Sequence, residues 1–185
     1  MSNFRITSGK YARRSLELPD PKTTRPTTQR VREAIFSVLE SLASDCINGA
    51  QVLDGFAGSG ALGLEALSRG AEFCTFIEQN PKSFDVLYEN VAKIAPTTAK
   101  VFRTDLLRSK FKTKFGLVFL DPPYGKNYAI KAARHLEKIN VLNEGAILVI
   151  EEDSKQDVAL PDSFEVLAEK VYGDTKVIFC VYSSS

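Results

Sequence analysis

The chain has 185 residues, 44% of them hydrophobic, and a formal net charge of +1, enough for one well-filled α/β domain with a small appendage but not for two full domains. No apolar run approaches the roughly 20 residues of a membrane span and the N-terminus carries no apolar signal core, so a soluble, cytoplasmic protein is expected. Cys46, Cys74 and Cys180 are odd in number and widely spaced, and His135 is the one histidine, so neither a disulfide framework nor a metal site is expected, and the cysteines read as small core residues.

The small net charge hides an asymmetry. Residues 1–32 carry +6 and the rest of the chain −5, a basic arm on a mildly acidic body, which suits a protein that holds a polyanion with one region and does chemistry with another. Phe4-Arg5-Ile6 and Ser15-Leu16-Glu17-Leu18 alternate with period two on either side of Gly9, predicting a short hairpin. Pro19, Pro21 and Pro26 punctuate a loop, after which Thr27 or Thr28 can cap a helix. Its apolar stripe is Val31, Ala34, Ile35, Val38, Leu39 and Leu42, and it should stop by Asn48-Gly49.

From residue 51 a strand and helix pattern repeats. Strand 51–54 runs into a glycine-rich turn, 55–60, and helix 61–69. Strand 73–78 precedes helix 82–94, opened by Pro81 with Asn80 as its cap. Strands 99–103, 115–121 and 146–151 follow, with helix 130–139 before the last of them. Strands joined by crossover helices predict a mostly parallel, Rossmann-like, seven-stranded α/β sheet, and segments 164–171 and 176–182 about Gly173-Asp174 predict an antiparallel C-terminal hairpin at its edge.

In such a sheet ligands lie at the carboxyl ends of the strands, which is where Asp54, Glu78, Asp105 and Asp121 fall. The turn Phe56-Ala57-Gly58-Ser59-Gly60 lets backbone approach a ligand closely. Gly58-x-Gly60-x-x-Gly63 also has the form of a dinucleotide fingerprint, but Asp54 directly before the turn would repel a pyrophosphate and suits an ammonium group. S-adenosylmethionine carries an α-amino group and a sulfonium and no phosphate. Glu78 would then take its ribose hydroxyls and Asp105 its adenine amine; Asp105 reads equally well as a helix cap. The apolar run Val118-Phe119-Leu120 ends in Asp121-Pro122-Pro123-Tyr124, where the two prolines forbid further strand and stiffen the turn. The Asp121 carboxylate and the Pro122 carbonyl are two acceptors for an exocyclic amine, and the Tyr124 ring is a stacking face for a base.

Carrying both signals, the chain resembles the class I methyltransferases, and more closely the RsmD-type 16S rRNA (guanine(966)-N2)-methyltransferase family. The resemblance rests on Arg5-Ile6 with Gly9-Lys10-Tyr11, on Thr24-Arg25-Pro26-Thr27-Thr28 with Arg30-Val31-Arg32-Glu33-Ala34, on the run from Val52 through Ala66, and on Phe119 through Tyr124. Gly55 and Gln29 depart from it, at positions usually apolar or proline and acidic, respectively. The resemblance implies methyl transfer from S-adenosylmethionine to guanine N2, with 16S rRNA or an assembling small ribosomal subunit as partner, a monomer, and no membrane. Residues 1–48 are expected to form an RNA-binding extension, with Arg5, Lys10, Arg25, Arg30 and Arg32 as its contacts, and 49–185 the catalytic domain. Asp121, Pro122, Pro123 and Tyr124 are the expected catalytic set. Competing readings are an amine methyltransferase acting on adenine N6 or cytosine N4 of DNA or other RNA, and a nicotinamide-binding oxidoreductase. The latter leaves Asp121 to Tyr124 and the basic arm without a use. A non-catalytic RNA-binding module has no use for the glycine turn and the acids around it.

Overall fold

A computed structural model describes residues 4–19, 28–42, 45–123 and 127–184. Seven strands, β1 (Gln51–Asp54), β2 (Phe73–Ile77), β3 (Ala99–Phe102), β4 (Phe115–Leu120), β5 (Leu142–Asp153), β6 (Phe164–Tyr172) and β7 (Thr175–Tyr182), form one sheet in the order β3-β2-β1-β4-β5-β7-β6. The first five are parallel; β7 runs antiparallel to both β5 and β6. The expected Rossmann-like sheet with a closing hairpin is therefore present.

Helices α1 (Gln29–Leu42), α2 (Ala61–Ser68), α3 (Pro81–Ile94) and α4 (Tyr128–Lys138) divide between the faces. Ile35, Phe36 and Leu39 of α1 join Leu64 and Leu67 of α2 and Leu87 and Val91 of α3 in one apolar cluster with Phe76 and Phe119. Ala129, Ala132, Ala133 and Leu136 of α4 pack with Val118, Leu120, Leu148 and Ile150 on the other. The split follows from strand alternation, since Phe119 points one way and its neighbours Val118 and Leu120 the other. Close approach of α2 to β2 depends on Gly63, where a Cβ would stand 2.3 Å from the Phe76 ring and 2.6 Å from Cys74 Sγ. Cys74 and Cys180 are buried and free; Cys46 is free and half-buried. Asn80 caps α3 as expected, its side chain accepting from the N–H groups of Lys82 and Ser83. Thr28 Oγ1 accepts from Val31 N–H at 3.3 Å at the start of α1; Thr27 lies outside the described residues.

Two expectations change and one, the N-terminal hairpin, holds. Ile6 N–H donates to the Arg14 carbonyl at 3.0 Å, Arg13 N–H to the Ile6 carbonyl at 2.9 Å and Leu16 N–H to the Phe4 carbonyl at 3.0 Å about the antiparallel bridge of Arg5 with Ser15, and the turn of this hairpin is tied to α2. Lys10 N–H donates to the Ser68 carbonyl at 2.8 Å, Tyr11 N–H to Ser68 Oγ at 2.9 Å, and Thr7 and Ser8 N–H to the Glu65 carboxylate at 2.9 and 3.0 Å. Strand β5 begins at Leu142, four residues before Ala146, because Leu142 pairs with Phe115 ahead of an irregularity that Gly145, at φ 74, accommodates. Arg32, expected on the surface as an RNA contact, is fully buried. Its guanidinium lies 4.4 Å from the Phe4 ring centroid, donates to the Arg5 carbonyl, and stands 3.5 Å from Glu65. Arg32, Ile35, Phe36 and Leu39 are all buried, an i, i+3, i+4, i+7 series that puts the arginine on the apolar face of α1.

Candidate active site

Strand ends and the first turn of α1 enclose a cavity of about 820 Å³. Strand β1 delivers Asp54 to it. This carboxyl is buried, and Oδ2 accepts the Gly63 N–H at 3.0 Å. Removal from water pushes its pKa up to about 7, opposed by the Gly63 hydrogen bond and assisted by the charges of Asp121 and Glu78.

The turn after Asp54 is tied to the strands on both sides. Gly55 N–H donates to the Phe119 carbonyl and Ala57 N–H to the Ile77 carbonyl, both at 2.9 Å. Gly58 and Gly60 have φ of 54 and 81, a left-handed backbone that glycine adopts at no steric cost. Glu78, half-buried at the end of β2, accepts from Gly58 N–H at 2.9 Å and Asn80 N–H at 2.7 Å. It staples the glycine turn to the head of α3, and its carboxylate retains acceptor sites for a further donor. Phe56, Ala57, Gly58 and Ser59 line the cavity with Asp54 and Glu78; Gly60 shapes the turn without lining it. Asp105 also stands outside the lining. Its Oδ1 accepts the Leu107 N–H at 2.9 Å and caps the short 3-10 turn Leu106–Arg108, the second of its two sequence readings.

From β4 come Asp121, Pro122 and Pro123, all lining the cavity; Tyr124 lies outside the described residues. The chain thereby brings Asp54, Glu78 and Asp121 to one space, as their strand-end positions imply. Two contributors were not anticipated. One is Glu151, at the carboxyl side of β5, 3% exposed. It ends the apolar run 146–150 as Asp54 and Asp121 end theirs, which was the available signal. The other is the β6–β7 turn, whose Tyr172 and Gly173 reach the same rim because β7 is antiparallel and so begins where the parallel strands end. No comparable local signal marked it.

Arg30 lines the cavity mouth from the first turn of α1, and Arg5 and Lys10 are exposed on the arm. Arg25 lies outside the described residues. His135 Nε2 is 3.0 Å from the Ser109 carbonyl, a structural contact on the α4 side. Tyr128 opens α4, with the Lys131 ammonium 5.4 Å from its ring centroid.

Residues 4–181 match the model of a family described as Conserved hypothetical protein 95, whose curated members include small-subunit rRNA methyltransferases D. The chain belongs to this RsmD family. Among its relatives is Ribosomal RNA small subunit methyltransferase D of Escherichia coli K12, 36% identical over 92% of this chain and 85% of that one. The protein of the same name from Buchnera aphidicola is 32% identical over 92% and 88%. A solved Escherichia coli structure named yhhF superposes with a TM-score of 0.87 at 33% identity, covering 98% of this chain and 99% of that one.

Within this RsmD-type chain the two departures have local accounts. A Cβ at Gly55 would lie 2.8 Å from Leu106 Cδ2 and 3.0 Å from Leu120 Cδ2, so the room a larger residue needs is already occupied by leucine. Gln29 Nε2 donates to Glu33 Oε1 at 2.9 Å, a helix-surface pairing one turn apart.

The raised pKa of Asp54 yields a stability prediction. The folded protein holds this carboxyl neutral up to about pH 7, whereas an unfolded aspartate ionises near pH 4. Its contribution is therefore greatest below about pH 4, declines as pH rises toward 7, and is constant above, a total of roughly 4 kcal/mol. Asp54→Asn should remove that decline and make the ligand-free protein more stable than wild type at pH 8. Denaturant midpoints of both proteins at pH 5 and pH 8 check this; parallel pH dependences would show that Asp54 titrates normally.

Proposed function

We propose that this chain transfers the methyl group of S-adenosylmethionine to the exocyclic N2 of a guanine in 16S small-subunit rRNA, acting as a cytoplasmic monomer on the rRNA or on an assembling small subunit. In this reading residues 1–48 form the RNA-holding extension and 49–185 the catalytic domain. The observation that carries it is the convergence on one cavity of three carboxylates and the Pro122 turn, at a glycine loop unsuited to a pyrophosphate. The names of the relatives supply the rRNA. No helix among the described residues is long and apolar enough to cross a membrane, which fits the cytoplasmic assignment.

S-adenosylmethionine, when bound, supplies an electrophilic methyl group on a sulfonium. Asp54 suits its ammonium, and Glu78 retains acceptor capacity for ribose hydroxyls. Asp121 and the Pro122 carbonyl accept the two N–H bonds of the target amine. This turns the nitrogen lone pair, otherwise delocalised into the ring, toward the methyl carbon. The Asp121 carboxylate stabilises positive charge developing on nitrogen, and the proton leaves afterwards to Asp121 or water, so no strong base is required. Holding the reacting atoms in line can contribute roughly 7–11 kcal/mol. Tyr124, in this mechanism, stacks on the base after its extrusion.

Arg30 supports the polyanion partner. A cation in the first turn of a helix opposes the macrodipole and costs about 0.3–1 kcal/mol, so its place at the cavity mouth does not serve the fold. Arg30→Glu should weaken rRNA binding and lower the slope of log affinity against log salt by at least about one. An unaltered slope would remove Arg30 from the interface.

Calorimetry and a labelled-methyl assay test the reading itself. S-adenosylmethionine should bind and NAD should not, and label transferred to rRNA or small-subunit particles should appear as N2-methylguanosine. Tight NAD binding without S-adenosylmethionine binding would sink the methyltransferase chemistry. Label confined to N6-methyladenine or N4-methylcytosine would sink the choice of base.

A further inference from the structure

We propose that Glu151 determines base identity: its carboxylate accepts the N1–H of the target guanine beside Asp121, so that a purine with a lone pair at N1 is rejected. This rests on the methyl-transfer reading above and extends it to how the base is chosen.

The sheet places the residue. β4 and β5 are parallel and in register up to the pair Leu120 and Ile150, where neighbouring strands lie about 4.8 Å apart, and Asp121 and Glu151 are the residues that follow this last pair. Leu120 and Ile150 both point into the α4-side core; by alternation Asp121 and Glu151 turn to the opposite face, toward α1. Both line the cavity there. Strand order adds a direction. β1 and β2, bearing Asp54 and Glu78, lie on one side of β4, and β5 lies on the other. With the methyl donor over the first pair, the space on the Glu151 side, walled by Tyr172 and Gly173 of the β6–β7 turn, is left for the base.

The chemistry of guanine fits that space. Its N1–H and one N2–H point the same way along one edge, two parallel donors that two neighbouring carboxylates can accept. Adenine and 2,6-diaminopurine carry a lone pair at N1, which a carboxylate repels. Glu151 already has a polar interaction within the protein, and the several lone pairs of a carboxylate leave room for one more donor. A largely buried carboxylate is costly to the fold, and a role in recognition accounts for one at this rim.

2,6-Diaminopurine separates this role from every other, because it keeps the reacting 2-amine and changes only the N1 side of that edge and the group at C6. Wild-type protein would be given small-subunit particles whose methylated guanine, first located by labelling, is replaced by 2,6-diaminopurine. Guanine should be preferred by about 100-fold or more in kcat/KM, the kind of discrimination exerted by a site built around a substrate N–H. Glu151→Gln, nearly isosteric and with an amide able to donate to N1, should lose activity on guanine and gain it on diaminopurine. The preference should narrow at least about tenfold, with S-adenosylmethionine affinity by calorimetry unchanged. Wild-type protein that methylates both bases equally overturns the proposal, as does an E151Q preference equal to that of wild type. Loss of S-adenosylmethionine binding in E151Q also overturns it, by placing Glu151 on the donor side. Failure of wild type to form N2-methylguanosine on the natural particle is a different result: it removes the methyl-transfer reading itself.

Discussion

Asp121→Ala is expected to lower turnover by about 100-fold or more while S-adenosylmethionine still binds, the order of loss seen when one charge-stabilising group is removed from a reacting centre. The asymmetry is the informative part. Asp121 directly follows β4, separated by β1 from Glu78 at the end of β2, so in the proposed mechanism the cofactor would keep both its ammonium and its ribose acceptors when this carboxylate is gone. What that mechanism would lose is the acceptor that orients the amine and the negative charge beside the developing ammonium. Asp121→Asn should recover part of the orientation and little of the charge stabilisation. Single-turnover methyl transfer measured beside calorimetric affinity distinguishes the cases. Unchanged turnover removes Asp121 from the mechanism, and parallel loss of affinity and turnover makes it a cofactor ligand.

Glu65→Ala should cost about 3–5 kcal/mol of stability, the range for removing one member of a buried ion pair. Glu65 is fully buried on α2. Its carboxylate accepts from Thr7 N–H and Oγ1, from Ser8 N–H and from Arg69 Nε at 3.0 Å, and it faces the buried Arg32. Burial alone already lowers the pKa of Arg32, and Glu65 is the largest opposing influence. Nη1 of Arg32 lacks a hydrogen-bond partner among the described residues. Without Glu65 the guanidinium would be a buried charge left with only the weaker influence of Glu33, and the arm would lose the acceptor that anchors Thr7 and Ser8. Denaturant melts should show a large fall in midpoint, and hydrogen exchange should report opening of residues 4–19 ahead of the sheet. A change below about 1 kcal/mol would mean that water takes the carboxylate's place.

By itself the sequence determined the strand and helix order, the parallel sheet with its terminal hairpin, the Asn80 cap, and the strand-end positions of Asp54, Glu78 and Asp121. All of these depend on periodicity and on residues near one another in the chain, where local stereochemistry sets the outcome. Most strand ends moved by a residue or so and β5 began four residues early, since the last pairings of a strand are decided by its neighbour. Tertiary structure decided the rest. Arg32 counted as a basic residue of a basic arm, yet α1 turns it onto Glu65 and the Phe4 ring, which no local pattern identifies as its partners. The N-terminal alternation marked the hairpin but not where it docks: Thr7, Ser8, Lys10 and Tyr11 donate to Glu65 and Ser68 of α2, far along the chain. Glu151 looked like the last residue of a strand until the sheet brought it to the cavity that Asp121 lines, and Tyr172 reached that cavity only because β7 runs against its neighbour. Each depends on which strands and helices come to lie side by side, and sequence distance carries no direct record of that.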